Sequence, residues 1–424
     1  MEKVMNSWSL RSAAGLLILV ASVAAQEAQE GLRLIASDAK RFLKDAYGGD
    51  VKKSAAAREK LLATRSEDRP TLFKELQALG FQATRDTPRA GRHVLSIATP
   101  EGSSPETPWV LRVPKDHGAR RPTPLLFRFH GSGDTAEDFD RNTNEDRAFG
   151  DFILVTPQIP SSDRMGWNQT GAHLMLDRLY TRVLRELNVD PDRIYFSGYS
   201  AGGGASTILA ETWPHRVAAI YSMGRTYNLL GTHPEESMAA LTHIPGFFAV
   251  GLDDTKERVD GYRELETYFK KEKLNGIFHF RKGKGHELIA DLNKPAVEFL
   301  LKAKRVVYPK SFRGITCRFQ NQEAIIPITT RAYWVEIKEW QQVAAFITAR
   351  IEGNTFIIDT PGLVAGSVLV NDALVNMNEE VKIVVNGKEV FSGIVERSPS
   401  FLLDWFDLYR DRGELYWNRV AFRL

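Results

Sequence analysis

At 424 residues the chain is too long for one small domain and implies about two or three. Hydrophobic residues make up 43 % and charged residues 26 %, which supports a sizeable core, and a net charge of +3 argues against a nucleic-acid partner. The single cysteine, Cys317, excludes an internal disulfide and a cysteine-held metal.

The N-terminus reads as a signal peptide over residues 1–25. Lys3 and Arg11 supply positive charge, and "AAGLLILVASVAA" is a short apolar run ending in small residues. Val23 and Ala25 suit the two small sites before a cut, which leaves Gln26 as the mature start. The run falls short of the roughly 20 residues of a membrane span, so no stable span is expected after cleavage. An exported chain without disulfides fits a bacterial periplasm or secretion.

Residues 26–88 form a predicted helical N-terminal segment. "LRLIASDAKRFLKDAY" and "PTLFKELQALG" carry apolar residues at helical spacing and predict two or three helices, with Gly80 as a stop. No chemistry is visible there, and the segment is expected to pack on the main domain.

Residues 89–305 change texture. "HVLSIAT" and "PWVLRVP" flank a loop rich in Gly, Ser and Pro and predict an antiparallel pair. "PLLFRFHG", "DFILVTP", "DRIYFSG", "RVAAIYS", "GFFAVG" and "IFHFRK" follow, apolar throughout as strands buried on both faces should be. Helical patterns separate most of them. In "GAHLMLDRLYTRVLREL", Leu176, Leu179, Val183 and Leu187 fall on one stripe. The alternation predicts an α/β fold with an eight-stranded, mostly parallel sheet, two strands antiparallel and six parallel.

Residues 309–424 are predicted to be a C-terminal, mostly-β, sandwich-like domain. "ITCRF", "WVEIKEW", "AAFITARIEG" and "TFIIDT" are β-like, and Asn386–Gly387 between "KIVV" and "KEVF" is a strong hairpin signal. "TFIIDTPG" resembles a GTPase motif, but the chain has no phosphate-binding G-x-x-x-x-G-K-[ST], so a strand ending in a turn is expected.

The chemistry centres on "RIYFSGYSAGGGAS". Gly198-Tyr199-Ser200-Ala201-Gly202 is G-x-S-x-G, with an apolar strand before it and a helix-compatible run after it. In a nucleophile elbow the serine occupies a strained turn between strand and helix, and the glycines remove side chains that would collide there. A serine also needs a histidine to take its proton and a carboxylate to hold that histidine, following in the order Ser…Asp/Glu…His. "FFAVGLDDT" delivers Asp253 and Asp254 after the next-to-last parallel strand, and "IFHFRKGKGHE" delivers His286 after the last. Asp254, further from the strand end, reaches the histidine loop more easily than Asp253.

"FHGSGD" follows the first parallel strand. Ser132, or alternatively Gly131, would supply one backbone donor to an oxyanion and Ala201 the second, at about 2.7–4 kcal/mol per donor. His130 is expected to order this loop, and His279 to pack within the last strand. Trp167 and Tyr199 are candidates for lining the cleft.

"PLLFRFHGSGD", "DPDRIYFSGYSAGGGAS", "GLDD" and "GKGHE" resemble the α/β-hydrolase superfamily, in its polyhydroxybutyrate-depolymerase and feruloyl-esterase-like branch, over roughly residues 90 to 305. The resemblance implies a serine esterase without a cofactor, with Ser200, Asp254 and His286 as triad and a small or polymer-derived ester as substrate. A serine peptidase of the same fold and a non-enzymatic binding protein stand as alternatives.

Overall fold

The computed structural model describes residues 31–83, 87–99, 106–143, 148–159, 166–167, 170–225, 238–321, 324–327, 330–340 and 344–424. The predicted signal peptide lies outside them. Among the described residues no helix is long and apolar enough to cross a membrane.

Three helices open the described chain: α1 (Ala36–Tyr47), α2 (Val51–Leu62) and α3 (Arg69–Gln77). Asp50 caps α2 by accepting from the amides of Lys52 and Lys53. Eight strands follow in one sheet: β1 (Gly91–Ala98), β2 (Glu106–Val113), β3 (Thr123–Phe129), β4 (Ile153–Pro157), β5 (Val189–Tyr199), β6 (Ala219–Met223), β7 (Gly246–Gly251) and β8 (Gly276–Arg281). Their spatial order is β1-β2-β4-β3-β5-β6-β7-β8. All eight coincide with the predicted runs. One strand is reversed where two were expected, because β2 lies between β1 and β4 and runs antiparallel to both.

Helices α4 (Ala136–Asn142), α5 (Thr170–Glu186), α6 (Ala201–Thr212) and α7 (Lys256–Lys271) lie in the connections between strands, and α8 (Asn293–Lys302) follows β8. Successive side chains of a strand point to opposite faces, so each apolar strand serves two cores. Phe127, Phe196, Phe248 and Val250 meet α5, α6 and α7 on one face, where the predicted stripe of α5 is buried. Leu126, Tyr195, Phe247 and Ala249 meet Ala296 and Leu300 of α8 on the other. This is the eight-stranded, mostly parallel α/β sheet with helices on both faces that the sequence predicts.

The C-terminal part holds two further sheets. Six strands lie in the order Ala324–Pro327, Ser311–Asn321, Ala344–Glu352, Thr355–Asp359, Val381–Val385 and Lys388–Gly393. Four others lie in the order Arg331–Ala332, Val335–Trp340, Leu363–Val370 and Asn418–Arg423. Both sheets contribute to one core, with the Trp334 ring 4.9 Å from that of Phe356. Val385 pairs with Lys388 across Asn386 and Gly387, whose φ of 50° and 76° are those of the tight hairpin turn the dipeptide predicts. "TFIIDTPG" is the strand Thr355–Asp359 and a turn, as expected. A helix not predicted, α9 (Pro399–Tyr409), starts at a Ser398 cap that accepts from the Phe401 amide, with Pro399 in its first turn.

The N-terminal helices depart from expectation. Leu43, Leu61, Leu72 and Leu76 are buried in the same cluster as Val368, Leu403 and Trp417, within the C-terminal part. Arg58 pairs with Asp404 at 2.5 Å and Asp407 at 2.7 Å, and Arg69 with Glu396 at 2.8 Å. Both faces of the central sheet are already covered by its own helices. The apolar stripe of the prefix is buried against the β-rich part instead.

Candidate active site

The site lies at the C-terminal ends of the parallel strands, where open α/β sheets present their loops. β5 turns into α6 through Ser200, which has φ 53° and ψ −120°. A side-chain-bearing residue at positive φ is uncommon and marks a position held by its surroundings. The Ser200 amide donates to Met223 O at 2.8 Å, and its carbonyl accepts from the Gly204 amide at 3.1 Å. The neighbouring glycines are a steric requirement. A Cβ on Gly198 would stand 2.0 Å from Gly202 O, and one on Gly202 would stand 1.9 Å from Phe129 O. On Gly203 it would meet Met223 O at 2.5 Å.

Three side chains converge there from three different strand ends. His286 Nε2 lies 2.9 Å from Ser200 Oγ, and His286 Nδ1 lies 2.8 Å from Asp254 Oδ2. Asp254 makes this contact; Asp253, its exposed neighbour, uses its backbone amide to donate to Lys284 O at 2.9 Å. That bond, together with Leu252 N donating to Arg281 O at 2.9 Å, stitches the turn after β7 to the loop carrying His286. Gly251 permits the close approach, since a Cβ there would lie 2.1 Å from Lys284 O.

Asp254 is a desolvated carboxylate with its side chain 1 % exposed. Oδ1 accepts from Arg258 Nη1 at 2.8 Å and from the Thr255 amide at 2.7 Å, immediately ahead of the N-terminus of α7. Burial pushes this carboxyl up, but hydrogen bonds from Arg258, His286 and the Thr255 amide outweigh it and hold the group below the usual carboxylate range.

Tyr199 donates from its hydroxyl to His286 O at 2.7 Å, and its ring lies 5.1 Å from the imidazole. Burial and then the Asp254 charge push its phenol up to about 12, so it stays a donor. Gly224, at φ 69°, leaves room for both rings; a Cβ would lie 3.2 Å from Tyr199 Cε2 and 3.3 Å from His286 Cε1.

The loop after β3 comes close to the serine. A Cβ on Gly131 would lie 3.4 Å from Ser200 Cβ, and the exposed Ser132 follows. Ala201 is the first residue of α6, so its amide is among those a helix leaves without an intrahelical acceptor. His130 is 1 % exposed and ties the loop down. Its Nδ1 lies 2.8 Å from Gly131 O, its Nε2 accepts from the Ile159 amide at 3.3 Å, and burial pushes its pKa down. These contacts fit the ordering role expected of it. Trp167, expected in the cleft, is 2 % exposed and donates from its indole to His130 O at 3.0 Å, so it supports the loop instead. His279 lies in β8 with its ring 4.7 Å from Phe247.

Arg258 and Gly224 were not singled out from the sequence. Arg258 had a signal, the Asp–Arg spacing of four at a helix start. Gly224 had none. Among the described residues no group of three or more His, Cys, Asp or Glu side chains is placed to hold a metal.

No family model matches the chain. Over 111 residues it is 29 % identical to a probable feruloyl esterase C of Aspergillus flavus and 30 % identical to that of Aspergillus oryzae. Each match takes in 24 % of this chain and 40 % of the relative, so the chain spans well under half the length of these relatives. Among solved structures, a thermostable esterase is 20 % identical, covering 50 % of this chain and 63 % of its own, with a TM-score of 0.43. A ferulic acid esterase is 16 % identical over 50 % of this chain and 99 % of its own (TM-score 0.43). The feruloyl esterase module from Clostridium thermocellum is 15 % identical over 52 % and 93 % (TM-score 0.41). The α/β-hydrolase resemblance carried by the serine, aspartate and histidine segments thus agrees with the sheet described above and with relatives described as feruloyl esterases.

Proposed function

We propose that the chain is an exported serine hydrolase of carboxylic esters, small or polymer-derived, working in a bacterial periplasm or outside the cell. The observation that carries the reading is the unbroken hydrogen-bonded chain from Ser200 through His286 to Asp254, with the serine raised on a positive-φ elbow.

Ser200 Oγ attacks the ester carbonyl carbon while His286 Nε2 takes its proton. Asp254, at Nδ1, fixes the tautomer and stabilises the imidazolium. The oxyanion accepts from the amides of Ser132 and Ala201, with Gly131 the alternative donor in the first loop. Collapse expels the alcohol, which leaves with the proton from His286, and the acyl group stays on Ser200. Water, deprotonated by the same histidine, then releases the acid. No cofactor takes part in this scheme. The division of labour proposed along the chain places every reacting group in residues 89–305, with 26–88 and 309–424 supporting it.

The relatives favour an ester over an amide, since those matched are described as feruloyl esterases. The test combines fluorophosphonate labelling with a panel of feruloyl, short-chain and chromogenic amide substrates. Ser200→Ala and His286→Ala should each remove most turnover and, for Ser200→Ala, all labelling, in protein that remains folded. Turnover of the amides at the rate of the esters would make the chain a peptidase. A folded wild type that neither labels nor hydrolyses would make it a binding protein.

A further inference from the structure

Asp254 has two oxygens and only one faces His286. The other, Oδ1, accepts from Arg258 Nη1 at 2.8 Å and from the Thr255 amide at 2.7 Å. Arg258 stands four residues on, in the first turn of α7, and its guanidinium reaches back past the Thr255 cap to the carboxylate ahead of the helix. Its side chain is 34 % exposed and lines an open cleft of about 570 Å³ with Glu257, Asp260 and Glu264. Three other carboxylates are therefore at hand on the same helix. Arg258 nevertheless pairs with Asp254, while Asp260 is held by Lys256 and Arg263.

We propose that Arg258 is a positioning residue that clamps Asp254 and sets the lower pH bound at which His286 can serve as base. This rests on the hydrolase reading above. Two physical effects follow from one contact. The hydrogen bond fixes the carboxylate plane so that Oδ2 stays on Nδ1. The positive charge partly neutralises Asp254 and disfavours a second cation on the imidazole beside it. An unclamped aspartate would hold the imidazolium more tightly, and the base would be lost at higher pH. Arg258 thus extends the working range toward acid at some expense in transition-state stabilisation.

The other charged and titratable groups around the triad include Arg225 after β6, which lines the same cleft as Arg258, with Tyr199 at the end of β5, Tyr262 of α7 and Asp134 after β3. Asp253 precedes the triad acid, and Glu287 adjoins the histidine, paired with Lys284 at 2.7 Å. All are common to the wild type and the variants below, so a difference between pH profiles isolates Arg258.

The experiment is kcat and KM for an activated short-chain ester as a function of pH, in full-length wild type, Arg258→Gln, Arg258→Lys and Arg258→Leu. Fluorophosphonate labelling and melting curves are taken on each. Glutamine keeps a donor and removes the charge; its acid limb should move up by about 0.5–1 pH unit, with the loss falling on kcat and not on KM. Lysine keeps the charge and should hold the limb at the wild-type position. Leucine removes both and should add to the shifted limb a fall in plateau kcat of about tenfold or more. A glutamine profile superimposed on the wild type, or a lysine limb displaced as far as that of glutamine, overturns the proposal while leaving the hydrolase reading intact. A wild type inert to both ester and probe removes the hydrolase reading itself.

Discussion

Arg305 and Asp411 meet through two hydrogen bonds of 2.6 and 3.0 Å, with side chains 0 % and 4 % exposed. The same guanidinium donates to His215 O at 3.1 Å, and the Arg305 amide donates to Asp192 O at 2.9 Å. Asp411 also accepts from the Gly413 amide at 2.9 Å. One buried pair therefore ties the start of β5 and the turn before β6 to the segment after α9. Asp411→Ala leaves the buried guanidinium with Asp192 Oδ1, at 3.6 Å and partly exposed, as its remaining ion-pair partner, and should lower unfolding free energy by about 3 kcal/mol, measured by denaturant titration. Replacing both partners with apolar residues, as in Arg305→Met with Asp411→Leu, should recover much of that loss. An alanine variant as stable as the wild type would contradict this role for the pair.

Asp253 and Asp254 offer an internal control for the proposed triad. Asp254→Asn keeps the shape but presents an amide to His286 Nδ1, which favours the wrong tautomer and should lower kcat by about 10³–10⁴. Asp253→Asn changes an exposed side chain whose backbone, not its carboxylate, holds the histidine loop. It should stay within about threefold of wild type. Parallel kinetics on the two proteins decide the matter, and equal losses would overturn the assignment.

A glycine of the serine elbow and one of the histidine loop should differ in tolerance. Gly202→Ala drives a Cβ to 1.9 Å from Phe129 O, a backbone atom that cannot rotate aside. The expected cost exceeds the usual overpacking penalty of about 1–3 kcal/mol, and soluble yield should fall sharply. Gly283→Ala, at φ 73° with nothing within 4 Å, should cost only the left-handed backbone penalty of about 1–2 kcal/mol. Melting temperatures of the two variants test the ranking.

Asp140 predicts a pH dependence of stability. Its fully buried carboxylate receives Arg92 Nε at 2.8 Å and Arg112 Nε at 2.6 Å, with Arg128 Nη1 at 3.8 Å, so it joins α4 to β1, β2 and β3. Burial pushes the carboxyl up, but hydrogen bonds from Arg112 and Arg92 and the charges of Arg112 and Arg128 outweigh it and leave the group below its ordinary range. A carboxyl depressed by folding is protonated first in the unfolded chain. Its stabilisation is therefore complete above the ordinary carboxylate range and is lost as pH falls through the lower, folded value. Asp140→Asn should melt well below wild type at neutral pH, and the gap should close below about pH 4. A constant gap across this range would exclude the linkage.

Much of this was legible in the chain because it is local. Six strands of the central sheet, β3 to β8, are short, mainly apolar runs, and the elbow is a pentapeptide between a strand and a helix. Asn386–Gly387 carries its turn in two residues. What was not legible depends on partners. The stripe holding Leu43, Leu61 and Leu72 shows that the N-terminal helices have an apolar face, but periodicity does not name the surface that covers it. Helix α9 was obscured by its β-like surroundings, although Ser398 and Pro399 mark its start. Trp167 reads equally well as a cleft or a packing residue until its indole is seen on the His130 carbonyl. Asp254 was favoured over Asp253 by reach alone, and the contact is a product of the stitched loops.

The shared core of the N-terminal helices and the C-terminal sheets has a consequence in time. During synthesis α1, α2 and α3 emerge before the central sheet, yet Val368, Leu403 and Trp417, which bury them, emerge after the whole of that sheet has been made. The α/β unit draws its two cores from its own strands and helices and is free to assemble in between. The body around it can close only by joining segments from opposite ends of the described chain. Such distant pairings carry a loop-closure cost and are slow to form. Until they form, α1, α2 and α3 leave an apolar face uncovered, so these helices should gain protection later than the central sheet that is made after them and should need a chaperone in the interval.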